Sequence, residues 1–205
     1  MRHILIRIPL LAIAMAWVLA ASVQANPNST IPENTSSGER VLWLPRAVEQ
    51  IQRSLAGEMR GRAERVELAQ IVHSESQALS MDPLYVLAIM KVESGFRADV
   101  VSSRGAIGLL QVRPIAARSV MRAETTHDEP IQAVRLSDPQ TNVAYGLRYL
   151  QQLEDQFSDQ ETALAAYNMG PTRVRQRLAA RQPVPKGYAK KVLLTYRAFQ
   201  AGAES

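Results

Sequence analysis

The chain contains no cysteine, and this absence excludes two kinds of site. With no Cys among 205 residues, neither a disulfide nor a thiolate metal ligand can form. Lipid attachment to a cysteine at a processed N-terminus is excluded for the same reason. His is scarce as well, and His73 and His127 lack the spacing of metal ligands. We therefore expect neither a bound metal nor a cofactor.

Large aromatic side chains are few, and they are not interleaved with basic ones. The chain has three Phe and two Trp, and its 24 Lys and Arg against 19 Asp and Glu give a net charge of +5. Residues 1–25 hold two Arg and no acidic residue, so the remainder carries +3. This balance is too weak to argue for nucleic-acid binding. It fits an anionic polymer as partner.

The N-terminal apolar run is too short to cross a bilayer. It covers 14 residues, 8–21, whereas a spanning helix needs about 20. Arg2, His3 and Arg7 precede it, and the small-residue site Val23-Gln-Ala25 follows. This pattern predicts a signal peptide over 1–25 that is removed before Asn26, and an exported or periplasmic protein without a stable membrane anchor. The alternative is an anchor left in place.

The rest of the chain divides into a spacer and one domain. Residues 26–40 are polar, contain Pro and Gly, show no hydrophobic period, and are predicted to be disordered. Residues 41–205 are long enough for a single domain with a sizeable core, and they contain no internal repeat.

Hydrophobic spacing predicts that this domain is mainly α-helical, with at most a very small sheet. Residues 109–112 could form a short strand, and residues 121–136 are predicted to be an irregular loop. Asp82, Asp138 and Asp159 are predicted N-caps. The predicted helices are 45–55, 62–79, one from Pro83 that Gly95 ends, one from Pro114, one from Pro139 with core positions Val143, Leu147, Leu150, Leu153 and Phe157, one after Asp159 that Gly170-Pro171 ends, 171–180 and 188–199.

Glu93 is the leading catalytic candidate. It lies at the end of an apolar helix, on the face of Met90, Ile89 and Val86. Poor solvation and the negative end of the helix dipole both favour its protonated form. A carboxylic acid kept neutral near neutral pH is suited to acid catalysis of glycoside cleavage. Taken alone, the helix is equally compatible with an ordinary surface Glu.

Three motifs in order strengthen this interpretation. They are Glu93-Ser94, Gly108-Leu-Leu-Gln111 and Ala166-Tyr-Asn168. Together they resemble the lytic transglycosylase family, in its soluble-type catalytic domain related to goose-type lysozymes, over about residues 65–200. Leu110 stands where the family usually has Met, a swap that conserves volume. Met169 stands where the family often has a small residue, and it is expected to narrow the cleft.

The resemblance implies a lysozyme-like fold and a peptidoglycan substrate. It implies that Glu93 protonates the oxygen between N-acetylmuramic acid and N-acetylglucosamine, and then takes the proton of the C6 hydroxyl, so that 1,6-anhydro ends form. Most glycosidases need two carboxylates. Asp99 is the one possible second carboxylate, and Asp82 is better explained as a cap.

The substrate-binding candidates each have a structural alternative. Gln111 offers an amide for sugar hydroxyl and acetamido groups, or is a satisfied polar residue at a strand end. Tyr167 offers a ring and a hydroxyl, or packs in the core. The other candidates are Ser94, which orients Glu93 or caps a turn; Ser102, which contacts substrate or forms a turn; Asn168, which binds sugar or caps its helix; and Tyr188, which resembles the late cleft Tyr of the family or is a core Tyr.

Three classes of function remain open. The first is a lytic transglycosylase, which by analogy serves a wall-spanning secretion, conjugation or pilus apparatus. The second is a lysozyme-type hydrolase, and the third is a non-catalytic peptidoglycan-binding protein. The basic residues between 173 and 191 are read chiefly as solvated helix faces, with attraction of an anionic wall as the alternative.

Overall fold

The computed structural model describes residues 46–124 and 135–203. Within these ranges the chain forms eight α-helices and no sheet, so the prediction of a mainly α-helical domain is confirmed. None of the described helices is both long enough and apolar enough to span a bilayer. The helices are α1 Arg46–Ala56, α2 Arg62–Ala78, α3 Pro83–Glu93, α4 Pro114–Glu124, α5 Pro139–Gln156, α6 Gln160–Met169, α7 Pro171–Ala179 and α8 Gly187–Ala203.

Three helices begin at the predicted aspartate caps. Asp82, Asp138 and Asp159 precede α3, α5 and α6, and each carboxylate accepts a backbone N–H from two or three residues later at 2.8 Å. Pro follows the first two as the first helical residue. A side-chain cap of this kind stabilises a helix by about 1 kcal/mol. These starts are therefore set by local sequence.

Helix α3 lies at the centre of the core. Residues 84–90 are consecutive and each is at most 6% exposed, which confirms the predicted buried helix. Helices α1, α2 and α8 all pack against it. Burying each large apolar side chain contributes roughly 1.5–3 kcal/mol. The position of the last residue of α3, Glu93, is consequently fixed by the best-packed part of the molecule.

Helices α4 to α7 build the neighbouring part of the domain. Helix α5 packs against α2, α4 and α6, and α6 packs against α7 and α8. The five predicted core positions of α5 and its C-cap, from Val143 to Phe157, are all buried. A smaller apolar cluster joins the end of α5 to α6 and to Val174 of α7.

The predicted strand at residues 109–112 is wrong. Only isolated bridges connect Val101 with Ile107 and Ile107 with Val112 in the described residues. Gly108 and Gln111 have φ of +76° and +47°, and a left-handed backbone cannot continue a strand. The Gln111 N–H instead closes a turn onto the Gly108 carbonyl at 3.1 Å.

Two predicted boundaries also need correction. Helix α4 continues through Glu124, so the irregular loop predicted from Met121 begins too early, because Met, Arg, Ala and Glu are good helix formers. Helix α8 runs to Ala203 rather than to Phe199. The rest of that loop, residues 125–134, and the predicted signal peptide and spacer lie outside the described residues.

Candidate active site

A cavity of about 890 Å³ with a mixed polar and apolar lining lies beside the end of α3. Its walls come from the 102–113 loop and from helices α4, α5, α6 and α7. Five of the seven predicted site residues line it: Glu93, Ser102, Gln111, Tyr167 and Asn168. Met169 lines it too, at the place where a narrower cleft was expected. The other two candidates, Ser94 and Tyr188, are not among its lining residues.

The carboxyl of Glu93 is half-buried, and its protonation equilibrium is shifted. Burial raises its pKa, while the hydroxyl of Tyr188 and the positive charge of Lys191 partly oppose that shift. The Tyr188 hydroxyl donates to Glu93 Oε1 at 2.5 Å. The carboxyl also lies at the C-terminal, negative end of α3. Glu93 thus stays protonated to a higher pH than an ordinary glutamate does, and it lines the cavity.

Tyr188 reaches Glu93 from the first turn of α8. Burial and the neighbouring carboxylate raise the pKa of Tyr188 well above its usual value. Its hydroxyl therefore stays protonated near neutral pH and can donate a hydrogen bond to the carboxylate form of Glu93. Because the two residues are 95 positions apart, the contact is visible only in the folded chain.

Tyr167 packs in the core, as its structural alternative predicted, and it also lines the cavity. Its hydroxyl donates to the Leu110 carbonyl at 2.7 Å, and its ring lies 5.7 Å from that of Tyr149. Burial, followed by the charge of Glu93, raises the pKa of Tyr167 well above the usual value. Tyr167 therefore packs in the core and ties α6 to the loop while its edge faces the cavity.

Ser94 holds the loop rather than facing the cavity. It is 3% exposed, and its hydroxyl donates to the carbonyls of Met90 and Leu109 at 3.3 and 2.9 Å. This second bond joins the end of α3 to the turn that carries Gln111. The arrangement fits the orienting role predicted for Ser94 better than a direct contact with substrate.

The loop candidates are engaged in local hydrogen bonds as well. Gln111 Nε2 donates to the carbonyls of Val100 and Gly108 at 3.1 and 3.0 Å, so its amide nitrogen stabilises the loop. Ser102 Oγ accepts the Ala106 N–H at 3.0 Å in a turn. Both still line the cavity. Asn168 is exposed at the end of α6, where Gly170 caps the helix with φ of +93°.

Sequence reasoning missed Asn142, which holds the loop from behind. This residue of α5 is 1% exposed. Its Nδ2 donates to the carbonyls of Ile107 and Leu136, and its Oδ1 accepts the Leu110 N–H, each at 2.8 Å. A buried amide is costly unless it is hydrogen-bonded. The available signal in the sequence is an Asn next to the core position Val143. The neighbouring residues do not indicate which backbone groups this Asn contacts.

Asp99 does not join Glu93. It is exposed and lines a different cavity, beside Phe96 and the α2 residues Glu64, Glu67 and Leu68. Among the described residues that line the Glu93 cavity, Glu93 carries the sole carboxyl group. No three His, Asp or Glu side chains gather as a metal site in residues 46–124 and 135–203. The cavity therefore offers one carboxyl group, several neutral hydrogen-bonding groups and the guanidinium groups of its arginines.

Comparisons with known proteins point to one family. The sequence profile of the transglycosylase SLT domain matches residues 70–188. The soluble lytic murein transglycosylase of Salmonella typhimurium is 34% identical over 139 residues, which is 59% of this chain and 21% of that protein. The solved structure of the 70 kDa soluble lytic transglycosylase of Escherichia coli is 26% identical, with a TM-score of 0.54 over 75% of this chain and 28% of that one.

A further relative is more similar in length. The endo-type membrane-bound lytic murein transglycosylase A of Klebsiella pneumoniae is 38% identical over 79 residues, which is 38% of each chain. Even here the chain spans well under half of its relative. The Salmonella and Escherichia coli matches therefore concern part of much larger proteins, whereas the Klebsiella match covers part of a chain of similar length.

Proposed function

Since this chain belongs to the transglycosylase SLT domain family, we propose that it is a peptidoglycan lytic transglycosylase. It cleaves the β-1,4 bond between N-acetylmuramic acid and N-acetylglucosamine without water and leaves a 1,6-anhydro end. The observation that supports this most is the setting of Glu93: one carboxyl with a raised pKa that lines a large cavity.

A single carboxyl suffices for this reaction if it acts twice. Neutral Glu93 first donates its proton to the glycosidic oxygen as the bond breaks. The resulting carboxylate then takes the proton of the muramic C6 hydroxyl as that oxygen closes onto C1. The acid is regenerated and no water needs activation. The acetamido group of the substrate meets the positive charge of the transition state, the substrate-assisted route.

The other candidates support this cycle in two ways. Tyr188 holds Glu93 through its hydroxyl, and Ser94 holds the end of α3 against the Gln111 turn. The surface groups that meet sugar are Ser102, Gln111, Tyr167 and Asn168, which offer hydroxyl, amide and ring contacts along one cavity.

The lysozyme-type hydrolase is the second candidate. A hydrolase of this type commonly positions water with a second carboxylate. The place of Asp99 in a separate cavity favours the transglycosylase over it. A non-catalytic wall-binding protein would not need the raised pKa of Glu93.

The remaining proposals concern location and organisation. Residues 1–25 act as a signal peptide, 26–40 as a spacer, and 41–205 as the catalytic domain, so that the mature protein reaches the peptidoglycan outside the cytoplasm. Service to a wall-spanning secretion, conjugation or pilus apparatus rests on analogy with small exported members of the family.

The test of the catalytic role is Glu93→Gln, which keeps the shape but cannot cycle a proton. Release of soluble fragments from purified peptidoglycan should fall by at least ~100-fold, while circular dichroism and thermal unfolding show an intact fold. Asp99→Asn, which removes the same charge from the other cavity, is the control and should retain activity. Near-normal turnover of a folded Glu93→Gln protein would contradict the assignment of Glu93 as the catalytic acid.

A further inference from the structure

Four arginines line the cavity that holds Glu93. Arg104 comes from the turn before Gly105, Arg113 immediately precedes α4, and Arg173 and Arg175 lie on α7. Among the described residues that line the cavity, Glu93 carries the one carboxyl group that faces these four positive charges. The cavity wall is therefore strongly positive, although the chain as a whole is only mildly so.

The four guanidinium groups are not neutralised by neighbouring carboxylates of the described residues. The ion pairs found there join Lys91 to Glu58, Arg148 to Glu75 and Lys186 to Glu161. Arg175 meets a neutral group, with its Nη1 3.4 Å from Gln156 Oε1. All four arginines are exposed, so their charges are available to a ligand in the cavity.

The charges converge on the cavity from separate elements. Tyr149 of α5 lines the cavity. Burial raises its pKa, and the positive charges of Arg113 and Arg175 oppose that rise. Guanidinium groups from the start of α4 and from α7 therefore act on one tyrosine hydroxyl. A solvated helix face, the reading that the α7 residues had from sequence alone, does not account for this convergence.

Binding of uncharged sugar groups does not require a positively charged cavity wall. Hydroxyl and acetamido groups can be bound by Gln, Asn, Tyr and backbone groups, whereas guanidinium groups match carboxylates in shape and charge. On a peptidoglycan strand the carboxylates sit on the muramic substituent: the lactyl carboxyl where the strand is bare, or the peptide carboxyls where the stem is present.

We propose that Arg104, Arg113, Arg173 and Arg175 form a carboxylate-reading wall that selects glycan strands by the anionic substituents of their muramic residues. This inference rests on the proposed function and adds a substrate preference to its reaction. It predicts weak use of strands whose carboxyls are neutralised, and of uncharged N-acetylglucosamine oligomers.

The test uses binding as well as turnover, so that it stands apart from the test of catalysis. Binding is measured by cosedimentation of the Glu93→Gln protein with purified, insoluble peptidoglycan, and binding of the stripped strands, which dissolve, is measured by their competition in that assay. Turnover is measured by fragment release with the Glu93-containing protein. The substrates are intact peptidoglycan, strands stripped of peptide by an amidase, and each of these after amidation of its carboxyls.

The variant is Arg173→Gln/Arg175→Gln, and the control is Arg118→Gln/Arg197→Gln, which removes the same charge from exposed positions of α4 and α8 outside the cavity. Exposed ion pairs contribute roughly 1.4- to 5-fold each. We expect the cavity variant to bind intact peptidoglycan about 3- to 20-fold more weakly, with the loss in KM rather than kcat. High salt should remove most of the difference.

The comparison between substrates identifies which carboxylate of the strand the arginines bind. A loss that persists on stripped strands assigns the lactyl carboxyl, and a loss confined to intact peptidoglycan assigns the peptide stem. Amidation of the substrate should abolish the difference between variant and parent. Equal losses in the control variant, or unchanged binding of amidated peptidoglycan by the parent protein, would overturn the proposal even if the enzyme is active.

Discussion

The neutral form of Glu93 is favoured by burial and opposed by two neighbours. Tyr188 donates a hydrogen bond to its carboxylate, and Lys191 contributes a positive charge. Because burial prevails, the pKa of Glu93 stays raised. The group that must donate a proton therefore remains protonated at a higher pH than an ordinary glutamate does.

Substitution Tyr188→Phe should move the alkaline limb of the kcat/KM profile to higher pH. The lost hydrogen bond stabilises the carboxylate, so its removal raises the pKa of Glu93 further. The measurement is fragment release between pH 4 and 9. Tyr196→Phe is the matched control, because that hydroxyl donates to Asp82 instead. A limb that stays in place, or shifts to lower pH, would show that Tyr188 does not govern this titration.

At the same scale, the sequence pointed to Glu93 as a poorly solvated carboxyl but did not show its contacts in the fold. The apolar neighbours of Glu93 within α3 predicted poor solvation, because residues three and four apart share a helix face. The bond from Tyr188 crosses 95 positions of chain, and no local pattern encodes such a distance. The resemblance to the family supplied Tyr188 as a candidate, and the fold supplied its contact.

At the scale of elements, the helices were predictable where aspartate and proline mark their starts. The three N-caps and the apolar spacing predicted the bounds of α3, α5 and α6 almost to the residue. The 99–112 loop was not predictable in the same way. Its apolar residues Leu109, Leu110 and Val112 are buried without forming a strand, because Asn142 and two left-handed residues bend the backbone.

Two glycines of this loop provide a matched pair for testing that account. Gly105 and Gly108 both have positive φ, +71° and +76°, which costs an L-residue roughly 1–2 kcal/mol. A Cβ at Gly105 would meet nothing within 4 Å, whereas at Gly108 it would lie 2.5 Å from Asn142 Nδ2 and 3.0 Å from the Leu136 carbonyl.

Gly108→Ala should therefore lower the free energy of unfolding by about 3 kcal/mol or more, and Gly105→Ala by about 1 kcal/mol. Urea denaturation of the two variants measures the difference. The Gly108 variant should also lose activity, because the turn carrying Gln111 must shift. Equal losses of stability would mean that the contact with Asn142 does not fix the loop.

At the scale of the whole molecule, one domain of helices is combined with an N-terminal leader that the charge and apolar pattern predict. The domain contains no disulfide, since the chain has no Cys, and its stability rests on the core around α3. Fold class followed from composition and helical period. The grouping of arginines around the cavity did not, because it depends on how α4 and α7 are placed.

The exported protein should begin near Asn26. The charged start, the 14-residue apolar run at 8–21 and the site Val23-Gln-Ala25 motivate this expectation. N-terminal sequencing of the protein recovered outside the cytoplasm provides the check. Retention of residues 1–25 would identify the run as an anchor, and a start well before or after Asn26 would place the cleavage site elsewhere.

The chemical identity of the product tests the central claim most directly. If Glu93 acts alone and the C6 hydroxyl closes the ring, the muramic end of each fragment is a 1,6-anhydro sugar. If water is the nucleophile, the end is a reducing sugar that is heavier by one water molecule. Mass spectrometry of fragments released from purified peptidoglycan should show predominantly anhydro ends, whereas mainly reducing ends would contradict the account and identify a lysozyme-type hydrolase.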